Sequence, residues 1–278
     1  MATTTVLPAD DLTFVASNPL SASEPPVPDI DTRTVRLAAG SVQGPGARPL
    51  ASAIDLDHDQ PIELPDGTVL YADIYRPVTT EPVPVILVYT PYCKRGGWWN
   101  TNFNATRFGV PADQLSGLQA IEAPDPGYWC HAGYAVANVD AAGTSHSGGD
   151  RLFLGSASGR TAYEVIEWLA ARDWCSGRVG MSGNSQLAMI QWAAAALRPP
   201  HLAAIAPWEA TNDMYRQVLV RGGSPTPTST TTATTTRSSA SPGARTSPGR
   251  ICAAIRCSTP TGPTSVPTPP PSRCPPTS

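Results

Sequence analysis

The segment that decides the fold runs from a short apolar stretch through a turn into a helical stretch: Val179-Gly180-Met181-Ser182-Gly183-Asn184-Ser185-Gln186-Leu187-Ala188. This pattern predicts a buried strand that turns sharply at residues 183–185 and continues into a helix. A strained strand-to-helix turn lifts one hydroxyl above the edge of a sheet, and the backbone N–H of the next residue lies where an oxyanion would form. The segment therefore predicts Ser185 as a nucleophile. Ser182 is the rival serine, but it falls inside the predicted strand.

A serine becomes an effective nucleophile beside a histidine base that a carboxylate orients, and in this architecture both partners follow the serine in the chain. His201 is the one histidine after Ser185. It precedes the next predicted strand, which puts it at the amino end of the sheet, opposite to the nucleophile, so we do not expect it to be the base. His58, His131 and His146 come before Ser185; of these, His146 lies on a loop at the carboxyl end of a strand and remains the alternative.

Strands and helices alternate along the middle of the chain. Residues 69–75 alternate in the manner of an antiparallel strand, and residues 84–89 form a continuous β-branched run typical of a strand buried on both faces. The other predicted elements are helices at 126–131, around 162–169 and at 186–197, and strands at 134–140, 178–182 and 202–206. This order predicts an α/β fold with a doubly wound, mainly parallel sheet. Glu209 and Asp213 follow the carboxyl end of the last strand and are candidates for lining a pocket.

Composition divides the chain into three parts. Residues 1–55 are rich in Pro, Ser and Ala and predict an irregular lead-in, whereas residues 56–223 carry the α/β pattern. Residues 224–278 contain no Asp, Glu, Lys, Leu or aromatic residue, and Ser, Thr and Pro supply 36 of their 55 positions, which predicts a disordered, low-complexity tail. A mucin-like stalk and a flexible linker are alternatives. We favour a departure from the native reading frame near Ser224, because so many residue types vanish at once; an intact frame in the transcript across codons 220–230 would refute this hypothesis.

Charge and apolar content exclude several classes of protein. The part before Ser224 carries a net charge near −8 and the tail one near +5, and an acidic body argues against a nucleic-acid partner. The N-terminus lacks a basic stretch followed by an apolar one, and no run approaches the roughly 20 apolar residues that span a bilayer, so we expect a cytoplasmic protein that does not bind membranes. The cysteines show no zinc spacing and predict free thiols.

An acidic stretch formed by Asp55, Asp57 and Asp59 with Asp66 superficially resembles a calcium-binding loop. Gln60 and Pro61 stand where such a loop needs its turn glycine, and no helix precedes them. We therefore expect a solvated acidic segment and no metal site.

Several further segments, taken together in order, resemble the X-Pro dipeptidyl-peptidase and cocaine-esterase family of α/β-hydrolases. The resemblance covers roughly residues 60–223 and rests on Asp66-Gly67-Thr68, Tyr71-Ala72-Asp73-Ile74-Tyr75-Arg76-Pro77, Thr90-Pro91-Tyr92-Cys93-Lys94, Gly133-Tyr134-Ala135-Val136, Asp140 with Gly143 and Ser147-Gly148, Ile166-Glu167-Trp168-Leu169-Ala170, Trp174-Cys175-Ser176-Gly177-Arg178-Val179-Gly180 and Ala206-Pro207. It implies that residues 56–223 are part of an α/β-hydrolase catalytic domain.

The resemblance also implies roles for individual residues. Ser185 would be the nucleophile, Gln186 would donate its backbone N–H to the oxyanion, and the phenol of Tyr92 would complete the oxyanion hole. The family usually has Tyr at the position of Gln186 and Gly at that of Ala188, and neither change removes the backbone donor or the room for close packing. It commonly has Arg at the position of Ala142, so we do not expect the contacts that this Arg would make in that loop.

The catalytic Asp and His of the family lie beyond the point where this chain ceases to resemble it. The implied function is that of a serine hydrolase that cleaves an ester or amide bond of a small-molecule ester or short peptide through an acyl-enzyme on Ser185, without a metal or organic cofactor. Because no base is evident, we expect little or no turnover, and the alternative is a catalytically inactive remnant that is unfolded or at most a binding surface. The oligomeric state is left open.

Overall fold

The computed structural model describes residues 27–103, 105–151, 156–213 and 216–217 together with two short strands at 15–16 and 245–246. The side chains of Trp98 and Trp99 are outside this description. Most of the predicted tail, 224–278, also lies outside the described residues; within it, strand β9 (Arg245–Thr246) pairs antiparallel with β1 (Val15–Ala16).

The main body is a seven-stranded sheet with four helices. Its strands are β2 (Arg33–Leu37), β3 (Ile54–Glu63), β4 (Val69–Pro77), β5 (Val83–Thr90), β6 (Ala135–Asp140), β7 (Cys175–Asn184) and β8 (Leu202–Trp208). The helices are α1 (Gly97–Asn102), α2 (Pro126–His131), α3 (Ser156–Ala170) and α4 (Gln186–Ala196), and two short 3₁₀ helices, Ala105–Phe108 and Ala112–Gln114, follow α1.

The strand order is β2-β3-β4-β6-β5-β7-β8. β6, β5, β7 and β8 run parallel to one another, while β2, β3 and β4 join them as antiparallel neighbours. The apolar run of β5 lies between β6 and β7, and its last six residues are buried, as expected for a central strand covered on both faces. The predicted α/β-hydrolase sheet is therefore confirmed, and the antiparallel prediction for β4 is correct.

Helices cover both faces of this sheet. On one face, α3 contributes Ala162, Val165, Ile166 and Leu169 to a buried core that also holds Ile190 of α4. On the other face, Cys130 of α2 packs in a second core with Ile54, Ile86 and Val88 from the strands. Asp125 caps α2 by accepting a hydrogen bond from the backbone N–H of Gly127, with Pro126 in the first turn, as the sequence predicts. The two cores hold the parallel strands so that their carboxyl ends form one common edge.

The predicted irregular lead-in is wrong for one stretch. Arg33–Leu37 forms β2, which pairs residue by residue with β3, and β3 itself begins at Ile54. Three of the five β2 residues are exposed, and only Val35 and Leu37 are apolar and half-buried, so the hydrophobic alternation is too short to predict a strand from the sequence. Its regularity comes from the backbone ladder and from charged cross-strand pairs such as Arg36 with Asp55.

No helix among the residues that the structure describes is long and apolar enough to cross a membrane.

Candidate active site

Ser185 lies at the tip of the turn between β7 and α4. Its backbone angles, φ 54° and ψ −118°, fall in a region that non-glycine residues rarely adopt. Such strain persists where the surroundings hold it, and here the N–H of Asn184 donates to the carbonyl of Glu122 at 3.0 Å and that of Ser185 donates to the carbonyl of Trp208 at 3.1 Å. Although Ser185 occupies the N-cap position of α4, its hydroxyl makes no capping hydrogen bond. The hydroxyl is therefore not used to cap the helix.

Gly183 makes this turn geometrically feasible. Its φ is +154°, and a Cβ atom there would lie 2.5 Å from the Cβ of Leu187 in the first turn of α4. Real Cβ atoms do not approach that closely, so any other residue at this position would force Leu187 or the backbone of the turn to shift. Ser182 lies within β7, opposite Ala206 of β8, as the sequence predicts.

Tyr92 follows the carboxyl end of β5 and is only 5% exposed. The hydroxyl of Tyr92 interacts with two side chains, Ser185 and Glu122. Burial raises the pKa of this hydroxyl above its ordinary value and the charge of Glu122 adds to the rise, while the contact with Ser185 opposes it. The phenol thus stays protonated and able to donate. The structure brings the predicted nucleophile and the predicted oxyanion donor together.

Gln186 is the first residue of α4, and the N–H groups in the first turn of a helix have no acceptor within that helix. Its half-buried side chain lines a cavity of about 40 Å³ together with Tyr89, Ala142 and Arg151. In a nucleophile turn of this kind the backbone donor is the residue directly after the nucleophile, and this role of Gln186 stays a prediction.

Hydrogen bonds to β5 and β6 hold the loop after β6, in which Ala142 stands where the family commonly has Arg. The N–H of Ala142 donates to the hydroxyl of Tyr89 at 3.0 Å, and the hydroxyl of Ser147 donates to the carbonyl of Asp140 at 2.9 Å. Arg151 is 7% exposed, and its charge acts on Tyr92 and Cys93. A cation therefore reaches this part of the site from position 151, although position 142 is an alanine.

Glu122 is a site residue that the sequence did not reveal. It lies in the connection before α2 with φ +59°, its carbonyl accepts from Asn184, and its carboxyl interacts with the side chains of Tyr92 and Asn184. Its Oε2 atom is buried and has no hydrogen-bond partner among the described residues. Burial raises the pKa of Glu122 to about 7, Tyr92 and Asn184 oppose this rise, and the charge of Glu209 adds to it. No local motif marks such a residue, since its neighbours come from other strands.

A cleft of about 660 Å³ lies beside this group. Glu122, Asn184 and Glu209 line one part of it, and the remaining wall is largely apolar, with Phe103, Phe108, Val110, Leu115 and Ile121. The prediction that Glu209 lines a pocket is thus met in the structure, whereas Asp213 bonds with Arg216 and is not among the lining residues. The volume suffices for a small organic group.

Behind Tyr92, a buried cluster of charged residues joins the loop 91–95 to the sheet; we call it the Lys94 cluster, and its members are Asp59, Asp73, Lys94, Arg95 and Asp140. The Nζ atom of Lys94 lies 2.8 Å from Asp140 and 3.0 Å from Asp59, and Arg95 bonds Asp59 and Asp73. Burial alone would lower the pKa of Lys94, but Asp140, Asp73 and Asp59 together raise it. Burial raises the pKa of Asp140 and the charge of Asp73 adds to the rise, while Lys94 opposes it.

The expectation of a solvated acidic segment is therefore wrong for two of its members. Asp59 is 1% exposed within the Lys94 cluster, and Asp57 is 8% exposed and pairs with Arg76. The carboxylates are buried because cations from distant parts of the chain meet them, which local composition does not show. Asp66 does lie on the surface, where it accepts from the N–H of Thr68. Within the described parts of the chain, no group of three or more His, Cys, Asp or Glu residues is arranged to hold a metal ion.

The histidines have other surroundings than Ser185. His201 pairs with Glu167 at 2.7 Å and precedes β8, whose far end carries Trp208; six residues at about 3.3 Å each separate the two ends by roughly 20 Å. His146 contacts the carbonyl of Pro28 at 2.9 Å, and His58 lies 3.2 Å from Arg95. His131 is exposed at the end of α2. The expectation that His201 lies at the edge opposite to the nucleophile agrees with this arrangement.

Comparison with known proteins decides the family. A family model described as X-Pro dipeptidyl-peptidase (S15 family) matches residues 66–259. The chain belongs to this family. The match to the family model continues past Ser224 to residue 259. The proposed loss of the native reading frame near Ser224 stays a prediction.

Two relatives of this S15-family chain are similar at the level of sequence and fold. Cocaine esterase from Rhodococcus sp. (strain MB1 Bresler) is 34% identical over 156 residues, which cover 56% of this chain and 24% of the esterase. The crystal structure of a CocE/NonD family hydrolase from Staphylococcus aureus superposes with a TM-score of 0.60 at 33% identity, covering 70% of this chain and 34% of the hydrolase. The chain thus spans about a quarter to a third of the length of these relatives.

Proposed function

We propose that this chain carries the nucleophile and oxyanion part of a serine hydrolase site, with Ser185 attacking the carbonyl of an ester or amide bond to form an acyl-enzyme. The observation that carries the proposal is the strained backbone of Ser185, which lifts an uncapped hydroxyl toward Tyr92. In the proposed reaction the tetrahedral oxyanion accepts hydrogen bonds from the backbone N–H of Gln186 and from the phenol of Tyr92. Its collapse breaks the ester or amide bond and releases the alcohol or amine, which leaves with the proton that the Ser185 hydroxyl gives up. The hydrolases among its relatives support the reaction class.

The test of this proposal is covalent labelling of the folded full-length chain by a fluorophosphonate probe. We expect labelling that is lost in Ser185→Ala and kept in Ser182→Ala, which is the matched control because that serine lies three residues earlier in the same segment. A cooperative thermal melt of each variant shows that it is folded. Absence of labelling in the well-folded chain, or equal labelling in Ser185→Ala, would refute the proposal.

Tyr92→Phe separates the oxyanion role from a packing role. The ring is retained, so stability should change little beyond the lost hydroxyl contacts. Loss of one oxyanion donor typically reduces the rate of an acyl-transfer reaction by about 10²–10³-fold. We therefore expect Tyr92→Phe to be labelled more slowly than the unaltered chain while it still shows a cooperative thermal transition. A rate equal to that of the unaltered chain would remove Tyr92 from the oxyanion hole.

An inactive chain is the second candidate function, and one observation favours it. Among the described residues, the four histidines are engaged elsewhere or lie on the surface, so no base for Ser185 is evident. This candidate predicts no probe labelling in a chain that melts cooperatively, and no hydrolysis of p-nitrophenyl esters or of Xaa-Pro p-nitroanilides above the Ser185→Ala background. If turnover does occur, comparing these two substrate types shows whether the bond cleaved is an ester or an amide.

A further inference from the structure

Glu122 contacts the candidate site through both its backbone and its side chain. Its carbonyl accepts the N–H of Asn184, the residue before the nucleophile, and its carboxyl interacts with the phenol of Tyr92. A glutamate with φ +59° is in the left-handed region, which such residues occupy only where the surroundings hold them. The main chain of Glu122 therefore fixes the turn while its side chain meets the phenol.

The buried Oε2 atom of Glu122 is the second observation. It has no hydrogen-bond partner among the residues that the structure describes. A buried carboxylate oxygen without a donor is costly, and protonation of the carboxyl relieves that cost. The carboxyl of Glu122 can thus be either ionised or protonated beside the hydroxyl of Tyr92.

We propose that Glu122 is a positioning residue that controls the oxyanion donor: its ionised carboxylate draws the hydroxyl hydrogen of Tyr92 to itself, and its protonated form leaves that hydrogen free to point at the oxyanion. The phenol has one hydrogen, so it cannot serve the carboxylate and the oxyanion together. Protonation of Glu122 reverses the direction of the contact, because the carboxyl then donates to the phenolic oxygen. This inference rests on the proposed function of Tyr92.

The charged and titratable groups that face Glu122 come from several elements. Tyr92 follows β5, Glu209 follows β8, Asp125 caps α2 at the same cleft, and Arg151 acts on Tyr92 from the loop after β6. Burial raises the pKa of Glu122 to about 7, and Glu209 contributes to that rise. Glu122 therefore changes between its protonated and ionised forms near neutral pH, where the rate of probe labelling can be measured on the folded chain.

The first experiment compares the unaltered chain with Glu122→Gln, which mimics the neutral carboxyl, by the rate of fluorophosphonate labelling from pH 5.5 to 8.5. The ratio of the two rates cancels pH effects that act on Ser185 in both. We expect the unaltered chain and the variant to label at similar rates at the acidic end and the unaltered chain to become about tenfold slower, relative to the variant, at the alkaline end. Tyr92→Phe added to both proteins should abolish the difference. A ratio that stays constant with pH would overturn the inference while leaving the proposed function standing.

Glu209→Gln is the matched control, because it removes a carboxylate from the same cleft and leaves Glu122 in place. We expect the pH dependence to persist in this variant with its midpoint shifted to lower pH, since Glu209 raises the pKa of Glu122. Loss of the pH dependence in Glu209→Gln would show that it arises from Glu209 and not from Glu122, and would overturn the inference.

A second experiment needs no activity. The carboxyl carbon of Glu122 is observed by NMR in protein labelled with ¹³C-glutamate and is assigned by its absence from Glu122→Gln. Tyr92 lowers the pKa of Glu122, so Tyr92→Phe should move the titration midpoint to higher pH. An unchanged midpoint would overturn the coupling, whether or not any form of the chain is labelled by the probe. If no form is labelled and the midpoint moves, the proposed function fails but the coupling of Glu122 to Tyr92 stands.

Discussion

Replacing Lys94 by methionine tests how the loop that carries Tyr92 is held. Lys94 is 4% exposed, and its ammonium group neutralises Asp140 at 2.8 Å and Asp59 at 3.0 Å. Methionine keeps much of the aliphatic volume but leaves two buried carboxylates with one fewer cation. Breaking a buried ion pair by removing one partner costs about 3–5 kcal/mol. For a domain of this size, 1 kcal/mol corresponds to about 2–4 °C in Tm, so we expect a fall in Tm of roughly 10 °C.

Urea unfolding followed by circular dichroism measures this free energy of unfolding directly. The double variant Lys94→Met with Asp140→Asn serves as the control, because it removes one of the orphaned charges together with the cation. We expect the double variant to be more stable than Lys94→Met alone. A loss below about 1 kcal/mol in Lys94→Met, or a double variant as unstable as the sum of the two single changes, would show that the Lys94 cluster is not a coupled buried network.

Three further outcomes follow from the geometry. Gly183→Ala should lower the free energy of unfolding, measured in urea, by about 1–3 kcal/mol, because its Cβ would lie 2.5 Å from Leu187. Gly180→Ala in the same strand is the control, because its Cβ meets nothing closer than 3.6 Å and should cause almost no loss from overpacking. Equal effects of the two substitutions would contradict the steric explanation. His201→Ala should leave the rate of probe labelling within about twofold, since its partner is Glu167 at the far end of the sheet, and a larger loss would make His201 part of the site. The folded-state pKa of Glu122 is raised to about 7, so Glu122 is more protonated in the folded than in the unfolded chain between about pH 4.5 and 7. Its contribution to the free energy of unfolding should therefore fall as pH rises through that window. Glu122→Gln should remove this contribution and change the slope of stability against pH, and an unchanged slope would refute the shift.

The elements that the sequence predicted correctly are those with a strong local pattern. The apolar run of β5, the capped start of α2 and the glycine-flanked turn at Ser185 each follow from neighbouring residues alone. β2 was missed, because the alternation of Val35 and Leu37 in this edge strand is too short a hydrophobic period to detect.

The candidate site likewise contains residues that a local motif predicts and residues that it does not. Ser185 and Gln186 are adjacent in the chain, so one motif predicts both, while the role of Tyr92 depended on the resemblance. Glu122 and the Lys94 cluster depend on contacts between residues far apart in sequence, such as the 46 positions that separate Lys94 from Asp140. Long-range charge pairing leaves no local trace, and for that reason Asp57 and Asp59 were expected in solvent and are instead buried.

The sharing of carboxylates and cations in the Lys94 cluster also limits how this sequence can evolve. Three carboxylates share two cations in this cluster, so loss of Lys94 or Arg95 leaves a buried carboxylate without a cation, a disadvantage that a second substitution must relieve. We therefore expect substitutions of Lys94 or Arg95 among homologues to be accompanied by substitutions of Asp59, Asp73 or Asp140. Such linked substitutions would make the cluster a marker for lineages in which the loop carrying Tyr92 has been rebuilt.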